Sequence, residues 1–214
     1  MEKYTEVRWH GRAQQGVVTA AKLLGETALR EGKYVQAFPE FGPERMGAPV
    51  RAFNRLSTEP VRMHCQVKNP GIVIIVDPTL IGKGGGKGGG GKTSSGGPSK
   101  TAGGPSPLVE GTSKDTVFIV NTPRPPGEMR KELGIKDGEG KVYTVDASRI
   151  SIEKIGRHLP NTPMLGALSK VAGTVELQSI IDNFRENYSK KFDAKVIEGN
   201  IEAIRKGFEE VKGE

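Results

Sequence analysis

The chain has 214 residues, enough to bury the core of one domain, and a single cysteine, Cys65. One thiol rules out an internal disulfide and an iron–sulfur cluster held by this chain alone. The formal charge of +7 does not indicate nucleic acid, because four of those charges fall in residues 82–107 and no basic helix with interleaved aromatics is present. No apolar run is long enough to span a membrane and no signal-peptide core is present, so we expect a cytoplasmic protein that binds neither nucleic acid nor membrane.

The first 60 residues predict strands around one helix. Residues 4–9 alternate in polarity and predict a strand, which a tight turn from Gly11 to Gly16 connects to a helix over 17–30. A second strand is predicted over 34–38 and a third over 50–56. Residues 61–67 are predicted to pair with the third strand as a hairpin.

Three short apolar segments predict strands that are covered on both faces. They span residues 72–76, 117–120 and 142–145, and each is followed by a small polar residue: Asp77, Asn121 and Asp146. Parallel strands need helical crossovers, so helices should intervene. Ligands bind at the carboxyl ends of such strands, so we expect the first turn and these three residues to share one edge.

The C-terminal third is predicted to be helical. Helices are expected over 150–159, from Asn161 to Gly173, over 177–188 and over 197–211, and Asn161-Thr162-Pro163 is expected to cap the second. Together these elements predict an α/β fold: a Rossmann-like, mostly parallel sheet with flanking helices and a helical C-terminal third.

The turn Gly11-Arg12-Ala13-Gln14-Gln15-Gly16 has the spacing of a G-x-G-x-x-G phosphate loop, with Ala13 at the second glycine. Free amides at a helix N-terminus attract an anion, and Arg12 adds a charged donor. The Ala13 methyl hinders close approach of a pyrophosphate, and no acid follows about 20 residues on to hold a ribose. The turn therefore fits either an anion site or a sharp turn whose small residues serve packing.

A second glycine motif spans residues 86–93 and spells G-x-x-x-x-G-K-T, the signature of a P-loop. A P-loop needs a helix directly after its Lys-Thr pair, but the residues that follow are rich in Gly, Ser and Pro. We therefore interpret residues 82–107 as a flexible Gly/Lys/Ser-rich surface insertion in a single domain that spans 1–214.

Residues 38–49 form an irregular segment with two aromatics, two acids and an arginine. Such a segment is either a binding surface or a rigid turn with a solvated pair of Glu44 and Arg45. The histidines have no ligand spacing, and His10 beside the glycine turn is best explained as structural. No catalytic motif and no thiamine diphosphate motif is found, so we predict no catalytic residue and no metal ligand in this chain.

Several stretches together resemble a known family. They are EVRWHGRAQQGVVTAAKLL, YVQAFPEFGPERMGAPVRAFNRL and IVIIVDPTL, extended by VFIVNT, VDAS and NTPMLGAL. They resemble the gamma subunits of 2-oxoacid:ferredoxin oxidoreductases, most closely those that act on pyruvate (pyruvate synthases). The first turn departs from the family pattern H-G-R-G-G-Q-G, because Ala13 and Gln14 replace two glycines.

The resemblance implies a role in a multi-subunit enzyme of anaerobic metabolism. That enzyme oxidatively decarboxylates a 2-oxoacid with coenzyme A and reduces ferredoxin. Thiamine diphosphate is implied between the alpha and beta subunits, iron–sulfur clusters are implied on the beta and delta subunits or their fused equivalents, and Mg²⁺ is implied in the complex outside this chain. The gamma subunit is implied to support coenzyme A binding and assembly, with no cofactor bound by it alone.

The resemblance also implies roles for particular residues. The pyrophosphate of coenzyme A would suit the turn, with Gly11, Arg12, Gln15 and Gly16 as the candidate site. Glu40, Glu44, Arg45 and Arg51 are expected to contact other subunits or to order the coenzyme. Two alternatives remain at this stage: a stand-alone dinucleotide-binding reductase that uses the first turn, and a P-loop NTPase.

Overall fold

The computed structural model describes residues 4–40, 47–63, 65–81 and 106–214. Within these ranges the chain forms seven strands: β1 (Thr5–Arg12), β2 (Tyr34–Glu40), β3 (Pro49–Ser57), β4 (Ile72–Ile75), β5 (Val117–Asn121), β6 (Lys141–Val145) and β7 (Lys212–Gly213). It also forms six α-helices: α1 (Val17–Arg30), α2 (Pro126–Leu133), α3 (Ala147–Ile155), α4 (Asn161–Ala172), α5 (Leu177–Tyr188) and α6 (Ala194–Glu210). A short 3-10 helix (Pro78–Ile81) follows β4.

The strands form one sheet in the order β2-β3-β1-β4-β5-β6-β7. The four central strands β1, β4, β5 and β6 are parallel, whereas β3 runs antiparallel to both β1 and β2, and β7 runs antiparallel to β6. The predicted α/β fold, with a mostly parallel sheet and a helical C-terminal third, is confirmed.

Side-chain alternation along the central strands builds two cores, one on each face of the sheet. On β4, Ile72 and Ile74 belong to the larger core, which includes apolar residues of α1, α3, α4, α5 and α6. Val73 and Ile75 belong to the smaller core, with Met129 of α2 and Leu108. A strand buried on both faces must be apolar throughout, which explains its continuous apolar sequence.

The strand predicted over residues 61–67 is wrong. Among the described residues of that segment none is in a strand. The third strand has no free edge, because β3 is already paired with β1 on one side and β2 on the other. The segment is held instead by a side chain, since Arg55 donates to the carbonyls of Met63 and Cys65.

Two element boundaries near the predicted site also differ from expectation. β1 continues through Gly11 and Arg12, which pair with Val50 and Pro49 of β3, so the turn itself is confined to 13–16. Helix α4 begins at Asn161 with Pro160 at the N-cap, so the Asn161 side chain does not cap it as predicted.

Candidate functional site

The first turn places the start of α1 at the carboxyl edge of the sheet. Gly16, with φ 73° and ψ 22°, is the N-cap residue, and no side chain caps the helix. A left-handed conformation favours glycine there. The first amides of α1 therefore face outward without a side-chain acceptor, which is the arrangement that attracts an anion.

Arg12 extends from the end of β1 to the loop after β4. Its Nε atom lies 3.1 Å from Asp77 Oδ2, and its Nε and Nη2 atoms donate to Thr79 Oγ1. Its Nη1 atom donates to the carbonyl of Gly47 at 2.9 Å. A guanidinium carries five N–H groups, so these contacts leave two of them without an acceptor among the described residues.

Gln15 fixes the turn from within. Its Oε1 atom accepts from the Arg12 amide at 2.8 Å, and its Nε2 atom donates to Asp77 Oδ2 at 2.9 Å. Its own amide donates to the Arg12 carbonyl. Gln15 is thus engaged through both side chain and backbone, so its part in any anion site is to hold the turn's shape.

Asp77 is the buried anion that balances Arg12. Burial alone would raise the pKa of its carboxyl. Hydrogen bonds from the Thr79 hydroxyl and amide and from Gln15, together with the charge of Arg12, outweigh burial and hold the pKa below its ordinary value. The carboxylate therefore stays ionised and fixes the charge and position of Arg12.

The other two polar residues after the apolar strands lie at the same edge but serve the fold. Asn121 Nδ2 donates to the carbonyl of Val76 and to Ser148 Oγ, and its Oδ1 accepts from the Ser148 amide. Asp146 caps α3 by accepting from the Arg149 amide at 3.0 Å. The structure therefore brings only Asp77 into contact with the first turn.

The second predicted group lies on the neighbouring strands β2 and β3, where Glu40 pairs with Arg51. Arg51 donates to Glu40 Oε1 at 2.7 Å, and Glu44 and Arg45 lie outside the described residues. Beside this pair, burial and the charges of Arg8 and Arg51 lower the pKa of His10 to about 3, which keeps its ring neutral. The buried atoms His10 Nε2 and Glu40 Oε2 have no hydrogen-bond partner in the described part of the chain.

A large open groove of about 1260 Å³ runs from the first turn toward the C-terminal helices. One wall comes from the turn and the start of α1, and the opposite wall comes from the start of α4 and the junction of α5 and α6. Its lining includes Arg12, Gly16, Asn161, Arg157, Tyr188, Lys191 and Phe192. Small-molecule sites are concave and mostly apolar with a few polar groups, and this groove has that character.

Sequence reasoning missed the far wall of this groove. The NTPMLGAL stretch was part of the resemblance, but its Asn161 was assigned only a capping role. Phe184 and Tyr188 both lie on the apolar face predicted for the helix over 177–188, so sequence reasoning interpreted both as core residues. One residue in the sequence could have indicated this wall. Phe192 is an aromatic residue in a polar loop, and its side chain is half exposed in the structure.

The described residues hold no candidate metal centre. No group of three or more His, Cys, Asp or Glu side chains lies close enough to bind a metal ion in that part of the chain. Cys65 is a free, exposed thiol, and one thiol does not fit the ligand set of an iron–sulfur cluster. Among the described helices none is long and apolar enough to cross a membrane.

The fold and its edge site define an α/β domain of the doubly wound kind, with its binding groove at the carboxyl ends of parallel strands. The family model described as pyruvate ferredoxin/flavodoxin oxidoreductase matches residues 6–97 and 99–210. The chain belongs to this family, and it is a gamma-type subunit of such an oxidoreductase. Membership of this family argues against both alternatives, the stand-alone reductase and the P-loop NTPase. The P-loop-like motif at residues 86–93 lies outside the described residues.

Individual relatives agree with this assignment. Pyruvate synthase subunit PorC of Thermotoga maritima is 43% identical over 211 residues, which cover 99% of this chain and 96% of the relative. A crystal structure of pyruvate oxidoreductase subunit PORC from that organism aligns with a TM-score of 0.79 at 41% identity, over 99% of both chains. A structure of 2-oxoglutarate:ferredoxin oxidoreductase from Magnetococcus marinus, with 2-oxoglutarate, coenzyme A and succinyl-CoA bound, shares the fold. Its TM-score is 0.66 at 19% identity, over 97% of this chain and 31% of that one.

Proposed function

We propose that this chain supplies the coenzyme A side of a cytoplasmic pyruvate:ferredoxin oxidoreductase. In that reaction pyruvate and the coenzyme A thiol give acetyl-CoA, CO2, one proton and two electrons, and ferredoxin accepts the electrons. Thiamine diphosphate, with Mg²⁺, lies between the alpha and beta subunits in this proposal, and the iron–sulfur clusters belong to the beta and delta subunits or their fused equivalents. This chain contributes binding and assembly and no catalytic group.

The observation that carries the proposal is the uncapped start of α1, which opens on the groove beside Arg12. The pyrophosphate of coenzyme A is an anion that suits free amides and a guanidinium with unused N–H groups. Gly11 and Gly16 keep the turn compact, Gln15 holds it, and Arg12 donates to the ligand. The coenzyme A in the M. marinus enzyme, which shares the fold, supports this choice of ligand.

The charged pair of Glu40 and Arg51 is assigned to contact with other subunits or to ordering of the coenzyme, together with Glu44 and Arg45. Its support is the buried Glu40 Oε2 atom, which lacks a partner among the described residues. A donor from a neighbouring subunit can satisfy that atom on assembly.

The test uses the assembled complex. Arg12→Ala should raise the KM for coenzyme A about threefold to tenfold, because a charged hydrogen bond to the ligand is lost. Decarboxylation of pyruvate before coenzyme A enters should be largely retained. Arg30→Ala is the matched control, since Arg30 is also ion-paired, with Glu186, but lies at the other end of α1. An unchanged KM in Arg12→Ala counts against this anion site.

Assembly is tested separately. The native protein should co-purify with a thiamine-dependent partner subunit and with subunits that carry iron–sulfur clusters. A native protein that runs alone and turns over substrate by itself contradicts the proposal.

A further inference from the structure

We propose that Ser148 and His158 act as a nucleophile and its general base, which together transfer an acyl group from an activated ester to the serine hydroxyl. A hydrogen bond of 2.9 Å joins Ser148 Oγ to His158 Nε2. Neither residue lines the groove beside the first turn. The activity is separate from the proposed coenzyme A role, so the result for Arg12→Ala has no bearing on it.

Ser148 lies at a junction between a strand and a helix. β6 ends at Val145, Asp146 is the N-cap residue, and Ser148 is the second residue of α3. Ligands of doubly wound sheets bind at this edge, and serine nucleophiles of other folds occupy a similar strand–turn–helix position. The positive end of the α3 dipole favours negative charge on the serine oxygen and on an oxyanion that forms beside it. Arg149 lies 3.6 Å from the Asp146 carboxylate and offsets part of its opposing charge.

Asn121 sets the direction of the hydrogen bond between Ser148 and His158. The Ser148 amide can only donate, so the Asn121 atom that it contacts at 3.0 Å is Oδ1. Asn121 Nδ2 then donates to the Val76 carbonyl at 2.8 Å and to Ser148 Oγ at 2.9 Å. Because Oγ accepts that bond, its own hydrogen is directed at His158 Nε2. In the neutral ring Nε2 is therefore the acceptor, the arrangement from which a base removes the serine proton.

The two reacting side chains are accessible on a buried support. His158 is exposed and Ser148 is partly exposed, whereas Asn121 is only 2% exposed. A nucleophile held by a buried side chain keeps its orientation without closing the site to an ester. In the described part of the chain no carboxylate contacts the second ring nitrogen of His158, so the base lacks the third member of a Ser-His-Asp triad. We therefore expect slow turnover.

The reaction needs water as its only co-reactant. Ser148 Oγ attacks the acyl carbon, and the bond from that carbon to the leaving oxygen breaks. The Ser148 proton passes to His158 Nε2 and from there to the leaving alcohol. Water then attacks the acyl-serine ester, with His158 again as the base, which releases the carboxylic acid and restores the serine hydroxyl.

The test treats the assembled complex with p-nitrophenyl acetate, stops the reaction with acid and locates the acetyl group by peptide mass spectrometry. Ser148 should be acetylated, and His158→Gln should slow its acetylation about a hundredfold, as expected for loss of a general base. Glutamine can still hydrogen-bond to Ser148 but cannot accept its proton, so a purely structural contact would not produce this loss. Ser113 is the internal control, because its exposed hydroxyl contacts the Thr116 hydroxyl instead of a histidine.

Two results overturn the inference. One is a Ser148 that stays unmodified or is acetylated no faster than Ser113. The other is a rate of Ser148 acetylation that His158→Gln leaves unchanged. Size exclusion and the melting temperature establish whether His158→Gln is assembled and folded. If it is not, His158→Asn takes its place, with the same expected loss.

Discussion

The Arg12 guanidinium lies 3.1 Å from the carboxylate of Asp77, measured from Nε to Oδ2. This ion pair joins the end of β1 to the loop after β4, two neighbouring parallel strands. It holds the arginine at the mouth of the groove and offsets part of its charge. A ligand at the turn therefore meets a positioned donor with unused N–H groups.

Asp77 should make the stability of the fold depend on acid pH. A carboxyl whose pKa is lowered on folding stabilises the protein above its ordinary pKa of about 3.9, and the effect is lost as pH falls through the lowered folded value. Asp77→Asn should therefore flatten the fall in unfolding free energy as the pH is lowered below about 5. Urea unfolding followed by fluorescence of the buried Trp9 measures this. Asp115→Asn, at an exposed position, is the control, and equal slopes in both variants would contradict the role of Asp77.

Gly16 should tolerate a side chain less well than Gly32, the left-handed glycine that follows the other end of α1. Alanine at a positive φ costs about 1–2 kcal/mol, and Gly32, with φ 78° and nothing within 4 Å of an added Cβ, measures that cost alone. At Gly16 the added Cβ also meets the buried Asn161 side chain at 2.5 Å, so Gly16→Ala should cost about 1–3 kcal/mol more than Gly32→Ala.

A double variant isolates the contact with Asn161. Replacing Asn161 with alanine in the Gly16→Ala background removes the clash, so most of the extra loss should be recovered. The measurement is the urea midpoint of Gly32→Ala, Gly16→Ala and the double variant, which shows how much of the extra loss at Gly16 comes from Asn161. An extra loss that persists without Asn161 would show that the helix start itself is distorted.

The sequence predicted the central sheet and α1 because both follow from local patterns. The bounds of α1 agree with the periodicity of its apolar residues, and the continuous apolar strands proved to be buried on both faces. The Arg12–Asp77 pair was not predicted, although both residues were expected at one edge. Many polar residues end at that edge, and only the packing of β1 beside β4 selects which of them touch.

Apart from the exposed aromatic Phe192, the far wall of the groove could not be predicted from the sequence, for a related reason. It is assembled from the ends of helices whose relative positions depend on how α4, α5 and α6 pack. The misassigned strand over 61–67 has a similar origin. Its residues are compatible with a strand, but the position of β3 between two partners depends on the whole sheet.

Arg55 should contribute strongly to stability through that same segment. Its side chain is 1% exposed, and it donates to Glu6 Oε1 at 2.7 Å, to Gln36 Oε1 at 2.8 Å and to the Cys65 carbonyl at 3.2 Å. Arg55→Met leaves these acceptors without their donor, so we expect a loss of about 3 kcal/mol in urea unfolding. Arg51→Met on the same strand breaks a partly exposed pair with Glu40 and should cost less than about 1 kcal/mol. Similar losses in both variants would show that burial of Arg55 does not set its contribution.

Gly207 and Gly166 allow α4 and α6 to cross with their backbones in contact. A Cβ atom at Gly207 would lie 2.0 Å from the Pro163 carbonyl oxygen, and one at Gly166 would lie 1.9 Å from the Ile204 carbonyl oxygen. Backbone atoms cannot move aside as a flexible side chain can, so Gly207→Ala should force the helices apart and cost about 3 kcal/mol despite the better helix propensity of alanine.

Gly127→Ala is the control for Gly207→Ala, and displacement of α4 is the expected functional consequence. Gly127→Ala on α2 has nothing within 4 Å of the added Cβ and should be neutral or stabilising by up to about 1 kcal/mol. Because Pro163 lies in the first turn of α4, displacement of that helix moves Asn161 away from Gly16. Gly207→Ala in the assembled complex should therefore raise the KM for coenzyme A, whose proposed site includes Gly16, as well as lower the urea midpoint. A lower midpoint with an unchanged KM for coenzyme A would show that the α4–α6 crossing does not affect the first turn.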